Sequence, residues 1–391
     1  MRQLLAGYSD FSNDHSYPEN LAVPDGQHPV VKRFCACLIS HPELRMLIAR
    51  AAKQADQPAF QNADEMAAYF GALLSLPPAY SSEGSFVGCP VNALFKPIMT
   101  VPVGRELFRH PVMNDFLRFL TKSYCTYLDS EHSAGFLTEE APHGWFCKTA
   151  ASKLGLDQFV HDKTKPHYNF SSWNAFFLRK FKAGQRPVEQ PTNSRVVSRP
   201  CESKIFRIER DLAPATDFWV KSLPYSLRDI FGADQATARR FQGGSLVQAM
   251  LESQYYHRWH VPVDGVVSSI RSIRGSLYAA VDHAGEKGLK QSLSFLSHVA
   301  NRFYIEIKRS TGDRVGCLFI GMAEVSSGVV AVRLGQTVRR GEEMGYFQYG
   351  GSSYCLFFEK DAVAEFTVEP NPDLESADPV LLNKTIALLR R

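Results

Sequence analysis

The spacing of apolar residues changes once along this chain, and the change limits what the chain can fold into. From Pro29 to about Asp129, apolar residues recur every three or four positions, as they do on one face of an α-helix. From about Val196, apolar and polar residues alternate, and turn residues separate short runs of β-branched and aromatic residues. The pattern predicts an α+β fold in which a helical N-terminal module precedes a strand-rich module.

Composition and patterning divide the chain into three segments. Residues 1–27 are polar and contain prolines, which predicts a loose N-terminal tail. Residues 28–165 form the helical module, in which Asn62 and Glu65 have the spacing of a helix N-cap. One apolar stripe in this module is typical of a buried helix face: Met113, Phe116, Leu117, Leu120 and Tyr124. Residues 166–391 form the strand-rich catalytic domain.

The composition narrows the range of partners. A chain of 391 residues can bury a sizeable core. Its net charge of +4, without a block of like charges, gives no support for a nucleic-acid partner or an acidic membrane surface. None of its eight cysteines forms a CxxC pair, and the N-terminus lacks the apolar region of a signal peptide. No stretch approaches the roughly 20 apolar residues of a membrane span. These features predict a cytoplasmic protein with reduced thiols and no membrane partner.

A glycine-rich turn near the C-terminus is the strongest candidate for chemistry. Residues 349–353 read YGGSS and precede the apolar run of residues 354–358. The glycines leave the carbonyl of Gly351 open to the hydroxyl of Ser352. Attack gives an ester, loss of the Cα proton breaks the chain between Gly351 and Ser352, and hydrolysis with loss of ammonia leaves a pyruvoyl group. The same residues are also typical of an ordinary turn.

Such a cleavage needs a base that is neutral near pH 7, which favours histidine. His257 and His260 lie three positions apart, so their imidazoles can serve one turn, or can be polar groups at a strand edge. A zinc site of the His-x-x-His type lacks a third ligand in the sequence. Glu202 can hold an imidazole in one tautomer, as the acid of a catalytic triad does, or can be solvated. Cys201 beside it is interpreted as a small core residue.

Four motifs carry a resemblance to a known family. They are FFLRKFKAGQRP at residues 176–187, PCES at 200–203, YHRWHVP at 256–262 and GEEMGYFQYGGSS at 341–353. In this order they resemble the phosphatidylserine decarboxylase family over about residues 168–391. The lipid enzymes usually have Pro-Ala-Asp-Gly in place of PCES. This departure, the YHRWH sequence and the helical N-terminal module look like the soluble branch of the family, which includes L-tryptophan decarboxylases of the fungal type.

The resemblance implies a role for each matching residue. His260 matches the base of the self-cleavage triad, with Glu202 and Ser352, although glutamate is one methylene longer than the family's aspartate. His257 matches the histidine implicated in decarboxylation. Ser352 becomes the covalent pyruvoyl cofactor at the start of a small chain that associates with the large one, and pyridoxal phosphate is not required. The implied substrate is a free amino acid, L-tryptophan or a related aromatic one.

Two alternatives remain open from the sequence. One is a phosphatidylserine decarboxylase acting on lipid, against which the missing membrane segment and the Cys-Glu-Ser departure count. The other is a non-enzymatic carrier of the lipoyl or biotinyl type, because residues 261–267 and 335–341 have the rhythm of such sandwiches, although no lysine signature lies between them. Residues 278–291 can form a lid over the site or an ordinary surface loop.

Overall fold

The computed structural model describes residues 28–81, 90–214, 225–252, 255–278, 286–321, 327–348, 352–371 and 380–390. Its contacts divide the chain into two compact units. The first comprises Met1–Phe177 and Ser276–Gly288, and the second comprises Leu178–Gly275 and Leu289–Arg391. The sequence-based boundary follows residue 165, whereas the contacts place it after Phe177.

Three sequence-based predictions fall wholly or largely outside the described residues. They concern the N-terminal tail at residues 1–27, the cleavage turn at 349–351 and most of the candidate lid, at 279–285. The last residues of the lid segment belong to a helix that begins at Glu286.

The first unit is helical, which confirms the prediction for the N-terminal module. Its helices are α1 (Pro29–Ser40), α2 (Glu43–Gln54), α3 (Ala63–Leu73), α4 (Pro90–Met99), α5 (Pro102–Arg109), α6 (Pro111–Leu128), α7 (Lys148–Leu154) and α8 (Trp173–Phe177). Short 3₁₀ turns occur at Glu131–Phe136, Leu156–Gln158 and Pro166–Asn169. Among the described helices of the chain, none is long and apolar enough to cross a bilayer.

The predicted N-cap begins helix α3. The side-chain oxygen of Asn62 accepts hydrogen bonds from the backbone N–H groups of Asp64 and Glu65 at 3.0 and 2.9 Å. The Glu65 carboxylate in turn accepts from the N–H of Gln61 at 2.8 Å. These bonds satisfy donors that have no partner within the helix, which explains why the helix starts at this point.

The predicted stripe of α6 faces the core of the first unit. All five of its residues are buried. Phe116 of the stripe packs against Phe34 of α1 and Phe70 of α3, with ring centroids 4.8 and 5.3 Å away. Burial of these rings holds the first, third and sixth helices together.

The second unit is strand-rich, as the alternating pattern predicts. Its strands are β1 (Val196–Ser198), β2 (Lys204–Arg210), β3 (Ser245–Leu251), β4 (Arg258–His260), β5 (Gly265–Ile273), β6 (Asn301–Lys308), β7 (Arg314–Gly321), β8 (Ser327–Val330), β9 (Thr337–Val338), β10 (Glu343–Gln348), β11 (Ser352–Phe358), β12 (Val363–Phe366) and β13 (Thr385–Leu389). Its helices are α9 (Leu227–Ile230), α10 (Gln235–Phe241) and α11 (Glu286–Val299), the last of which begins in the first unit.

Antiparallel pairing arranges the described strands in three sheets. Seven strands form the largest sheet, in the order β2-β3-β11-β7-β6-β5-β9. The smaller sheets have the orders β4-β10-β8 and β1-β13-β12. Strand β11 lies in the interior of the large sheet between β3 and β7, and all seven of its residues are buried. The segment that follows the predicted cleavage point is therefore fixed on both edges.

Strand β6 shows why alternation does not always mean that one face is exposed. Phe303, Ile305 and Ile307 face the core, but Glu306 on the opposite face is also buried. Its carboxylate pairs with Arg240 at 2.6 Å and with Arg314 at 3.3 Å. A buried carboxylate is tolerated here because it has cationic partners.

Trp259 fixes strand β4 of a small sheet, which contains His260 and begins directly after His257. Its ring stacks on Phe319 of β7 with centroids 4.1 Å apart. A Cβ atom at Gly345 of β10 or at Gly328 of β8 would approach the indole to 2.5 or 2.8 Å. Both positions therefore require glycine, and the close approach holds β4 at a defined place in the second unit.

Candidate active site

Ser352 is the first residue of β11, where the chain enters the large sheet. It lies opposite Leu251 of β3 and Gly321 of β7, and none of its surface is exposed. Gly351, the other residue of the predicted cleavage bond, lies outside the described residues. Pairing with strands on both sides fixes the position of Ser352.

His257 is the candidate histidine that contacts Ser352. Its Nδ1 lies 3.4 Å from Ser352 Oγ, and its Nε2 lies 3.1 Å from the backbone carbonyl oxygen of Glu252. A carbonyl only accepts hydrogen bonds, so Nε2 of the neutral ring carries the proton. Nδ1 is then an unprotonated acceptor that faces the serine hydroxyl, which is the arrangement required of a base.

His260 has different partners. Its Nδ1 lies 2.8 Å from the carbonyl oxygen of Gly341, and its Nε2 lies 2.9 Å from the hydroxyl of Tyr256. Burial lowers the pKa of His260, while the Gly341 carbonyl and the Glu343 carboxylate oppose this shift. The ring is therefore neutral near pH 7, and both its nitrogens are engaged away from Ser352.

Glu202 does not make the predicted contact with an imidazole. Its carboxylate instead accepts a hydrogen bond from Nε of Arg186, and both side chains are nearly buried, at 11% and 10% exposure. The carboxylate also acts on Arg179, whose pKa burial lowers to about 10 against the opposing charge of Glu202. Glu202 thus neutralises buried guanidinium groups, which explains its burial without a histidine partner.

The FFLRKFKAGQRP motif contains two residues with contacts near the candidate site that the motif alone does not indicate. Arg186, the partner of Glu202, lies over the ring of Phe181, with its guanidinium carbon 4.1 Å from the centroid. Phe181 also packs against Tyr256, the partner of His260, with centroids 4.5 Å apart. The motif therefore contacts the partners of both Glu202 and His260. The sequence signal for Tyr256 is its separation of four residues from His260.

The remaining candidates are Cys201, the other cysteines and possible metal ligands. Cys201 is fully buried in the core cluster of the second unit, and burial raises the pKa of its thiol well above the usual range, as expected for the predicted core residue. The described cysteines are free thiols, of which Cys35 and Cys37 are partly exposed. Within the described ranges, no group of three or more His, Cys, Asp or Glu side chains is arranged to hold a metal ion.

Comparison with known protein families gives two matches along the chain. A model described as phosphatidylserine decarboxylase matches residues 173–387, which span more than half of the chain. The chain belongs to the phosphatidylserine decarboxylase family. A second model with the same description matches residues 28–154, so the helical unit is also part of the phosphatidylserine decarboxylase pattern.

Relatives with curated names include fungal and bacterial enzymes. Decarboxylase iboD of Amanita muscaria is 34% identical over 78% of this chain and 92% of the relative. The L-tryptophan decarboxylase of Psilocybe cubensis is 28% identical over 84% of this chain and 80% of the relative. The phosphatidylserine decarboxylase proenzyme of Fusobacterium nucleatum is 31% identical over 55% of this chain and 68% of the relative.

Membership of this family makes the chain a decarboxylase, that is, a carboxy-lyase. The alternative of a non-enzymatic carrier is therefore excluded. The two segments with the carrier rhythm contribute β5 and β9, which pair at Gly265–Val338 and Val266–Thr337 in the large sheet. Phosphatidylserine decarboxylases are pyruvoyl-dependent as a family and are made as proenzymes.

Proposed function

We propose that this chain decarboxylates a free amino acid, L-tryptophan or a related aromatic one, and forms its pyruvoyl cofactor by cleavage between Gly351 and Ser352. The observation that carries the proposal is the 3.4 Å contact between Ser352 Oγ and the unprotonated Nδ1 of His257. Serine is the residue from which a pyruvoyl group is made, and an acceptor beside its hydroxyl fits that chemistry.

Self-cleavage requires two proton removals at residue 352. His257 Nδ1 takes the Oγ proton as the oxygen attacks the carbonyl of Gly351. The proton passes to the nitrogen of residue 352 as the C–N bond to Gly351 breaks, which gives an ester and a free amino group. Loss of the Cα proton then breaks the Cβ–Oγ bond, releases a carboxylate at Gly351 and leaves dehydroalanine. Water replaces the nitrogen, which leaves as ammonia. Since the partners of His260 are Gly341 and Tyr256, we assign His260 to a step after the ester has formed.

The same surroundings serve the decarboxylation. Once formed, the pyruvoyl group supplies a carbonyl that takes up the electrons released as CO₂ leaves. His257 stays beside residue 352, where it can move a proton to or from the substrate. Because His257 and the residue 352 position are fully buried, a proton held there exchanges slowly with water.

The assignment of the substrate rests on the relatives. Two of them, from Psilocybe cubensis and Psilocybe cyanescens, are named L-tryptophan decarboxylases, and the alignment covers 80% and 70% of their lengths. The alternative substrate is phosphatidylserine, which the family description and the bacterial proenzyme favour. The bacterial match covers 55% of this chain, whereas the Psilocybe cubensis match covers 84%, so we propose the amino acid.

An assay with free and lipid substrates tests the proposal. The purified protein is incubated without lipid or detergent with L-tryptophan, L-tyrosine or L-phenylalanine, and separately with phosphatidylserine vesicles. We expect amine release from an aromatic amino acid, no stimulation by pyridoxal phosphate, and loss of activity after borohydride, which reduces ketones. Activity on the vesicles alone would reassign the substrate, while a requirement for pyridoxal phosphate would contradict the cofactor.

A further inference from the structure

The hydrogen bonds of His260 define its tautomer. Gly341 offers a carbonyl oxygen, which only accepts, so the proton of the neutral ring is on Nδ1. Nε2 is then the basic nitrogen, and the hydroxyl of Tyr256 donates to it at 2.9 Å. The Gly341 carbonyl therefore occupies the position at which a triad carboxylate would accept from Nδ1–H, and the Tyr256 phenol is the side chain that faces the basic nitrogen.

Tyr256 is itself held in place. Only 3% of its surface is exposed, and its ring packs against Phe181 with centroids 4.5 Å apart. It also packs against His260, with ring centroids 5.7 Å apart. Because the ring is buried and packs against Phe181 and His260, the phenol oxygen cannot move away from Nε2 without repacking of these side chains.

The charges that act on His260 come from other residues than Glu202. Glu343 of β10 and Arg258 of β4 act on it with opposite sign, and the two form an ion pair at 2.7 Å. Glu202 is engaged by Arg186, and its charge reaches Tyr256 rather than the imidazole.

We infer that the Tyr256 hydroxyl, and not the Glu202 carboxylate, is the side chain that positions His260 and sets its basicity. Tyr256 is a positioning residue, because it acts through His260. The inference rests on the proposed function in one respect, namely that His260 takes part in the reaction. It also explains how the chain accommodates glutamate in place of the family's aspartate, since the orienting contact no longer depends on the length of that side chain.

The direction of the effect follows from the hydrogen bond. When Nε2 is protonated, the hydroxyl turns about its C–O bond and the phenol oxygen accepts from Nε2–H. A hydrogen bond to the charged ring is stronger than one to the neutral ring, so this contact stabilises the imidazolium and opposes the lowering of the pKa of His260 by burial. Removal of the hydroxyl in Tyr256→Phe should lower the pKa of His260 further by roughly 0.5–1 unit, the size of one ordinary hydrogen bond.

Nuclear magnetic resonance of the imidazole nitrogens tests this directly. The Ser352→Ala chain, labelled with ¹⁵N-histidine, provides a uniform single chain, and His260→Gln identifies the signal. We expect the Nδ1–H tautomer, and a downward shift of the titration midpoint in Tyr256→Phe. Glu202→Gln should leave the tautomer and midpoint unchanged. Tyr304→Phe is the matched control, because it removes another buried hydroxyl of the second unit, one that donates to Glu306 at 2.8 Å.

Several results would overturn the inference. They are an Nε2–H tautomer in the Ser352→Ala chain, an unmoved or raised midpoint in Tyr256→Phe, a change of tautomer in Glu202→Gln, or an equal shift in Tyr304→Phe. The first needs no change at Tyr256, so it applies even if Tyr256→Phe does not fold. If the wild-type protein is an active decarboxylase and the midpoint does not move in Tyr256→Phe, this inference alone is refuted. If the midpoint shifts but the wild-type protein is inactive, the proposed function alone is refuted.

Discussion

Ser352 Oγ lies 3.4 Å from Nδ1 of His257, although 95 positions separate the two residues in the chain. Strand β11 fixes the serine, and the packing of Trp259 fixes the strand that follows His257. Because Nε2 of His257 donates to the Glu252 carbonyl, the nitrogen at the serine is free of a proton. This contact distinguishes His257 from His260, whose nitrogens face Gly341 and Tyr256.

Replacement of each histidine should stop self-cleavage at a different stage. His257→Ala removes the acceptor beside Oγ, so the chain should stay intact without forming an ester. His260→Ala leaves that acceptor in place, so an ester should accumulate between residues 351 and 352. Hydroxylamine cleaves esters but not amides, and gel electrophoresis after its addition should show two fragments only for His260→Ala.

The reverse pattern would assign the hydroxyl proton to His260, as the family resemblance implies. Normal cleavage in both variants would remove both histidines from processing. His257→Ala protein that does cleave should still lose at least about 10²-fold in amine release, because a positioned proton donor typically contributes 10²–10⁴-fold.

Glu202→Gln should weaken the fold. It leaves Arg186 nearly buried without its carboxylate, and loss of one partner of a buried ion pair costs about 3 kcal/mol. The free energy of unfolding is measured by urea titration in the Ser352→Ala background, which removes any effect of cleavage. Addition of Arg186→Met should recover much of the loss, because no unpaired charge then remains.

A different outcome would restore the triad role of Glu202. If Glu202→Gln leaves stability unchanged but slows cleavage of the Ser352 chain by ~10²–10⁴-fold, the carboxylate acts on a catalytic histidine, as in hydrolase triads.

Acid should destabilise the second unit through His298. Its Nε2 accepts from the N–H of Ser226 at 2.9 Å, its Nδ1 donates to the carbonyl of Ser294 at 2.7 Å, and burial lowers its pKa to about 4. The folded pKa lies below the unfolded value near 6.5, so the stabilisation is present above pH 6.5 and is lost as the pH falls. Between pH 7 and pH 5 the loss should be about 2 kcal/mol.

The variant His298→Gln isolates this contribution. Urea unfolding of the Ser352→Ala chain at pH 7 and pH 5 gives the total loss of unfolding free energy in acid. When His298→Gln is added to this chain, the loss should be smaller by about 2 kcal/mol. An equal loss in both chains would mean that other groups carry the acid sensitivity.

The sequence predicted the features that depend on neighbouring residues. Helix periodicity placed the buried stripe of α6, and the Asn62–Glu65 spacing located the start of α3. Alternation over residues 303–308 located β6, because side chains on a strand alternate between faces whatever the rest of the fold does. The apolar run of residues 354–358 located β11. The family motifs also marked the segments that meet around His257, Tyr256 and Arg186.

What the sequence missed depends on contacts between distant segments. Which of the two histidines faces Ser352 is determined by the packing of Trp259, which holds β4 against β7 and β10. The spacing of residues within the YHRWH segment cannot predict this packing. The partner of Glu202 is Arg186, which lies in a segment without regular strand or helix, so periodicity does not indicate where its side chain points. Tyr256 begins the YHRWHVP motif, but the motif alone does not indicate that its hydroxyl contacts His260.

The mass of the purified protein tests the central claim, that Ser352 becomes a pyruvoyl group. Intact-mass and peptide analysis should find a large chain that ends at Gly351 and a small chain that starts with pyruvoyl at residue 352 and resists Edman degradation. Ser352→Ala should remain one chain. The matched control is Ser353→Ala, since that neighbour is equally buried and its hydroxyl has no hydrogen-bond partner among the described residues, so this variant should cleave as the wild type does. A wild-type protein that stays one intact chain and still releases amine, or a Ser352→Ala chain that cleaves, would contradict the account.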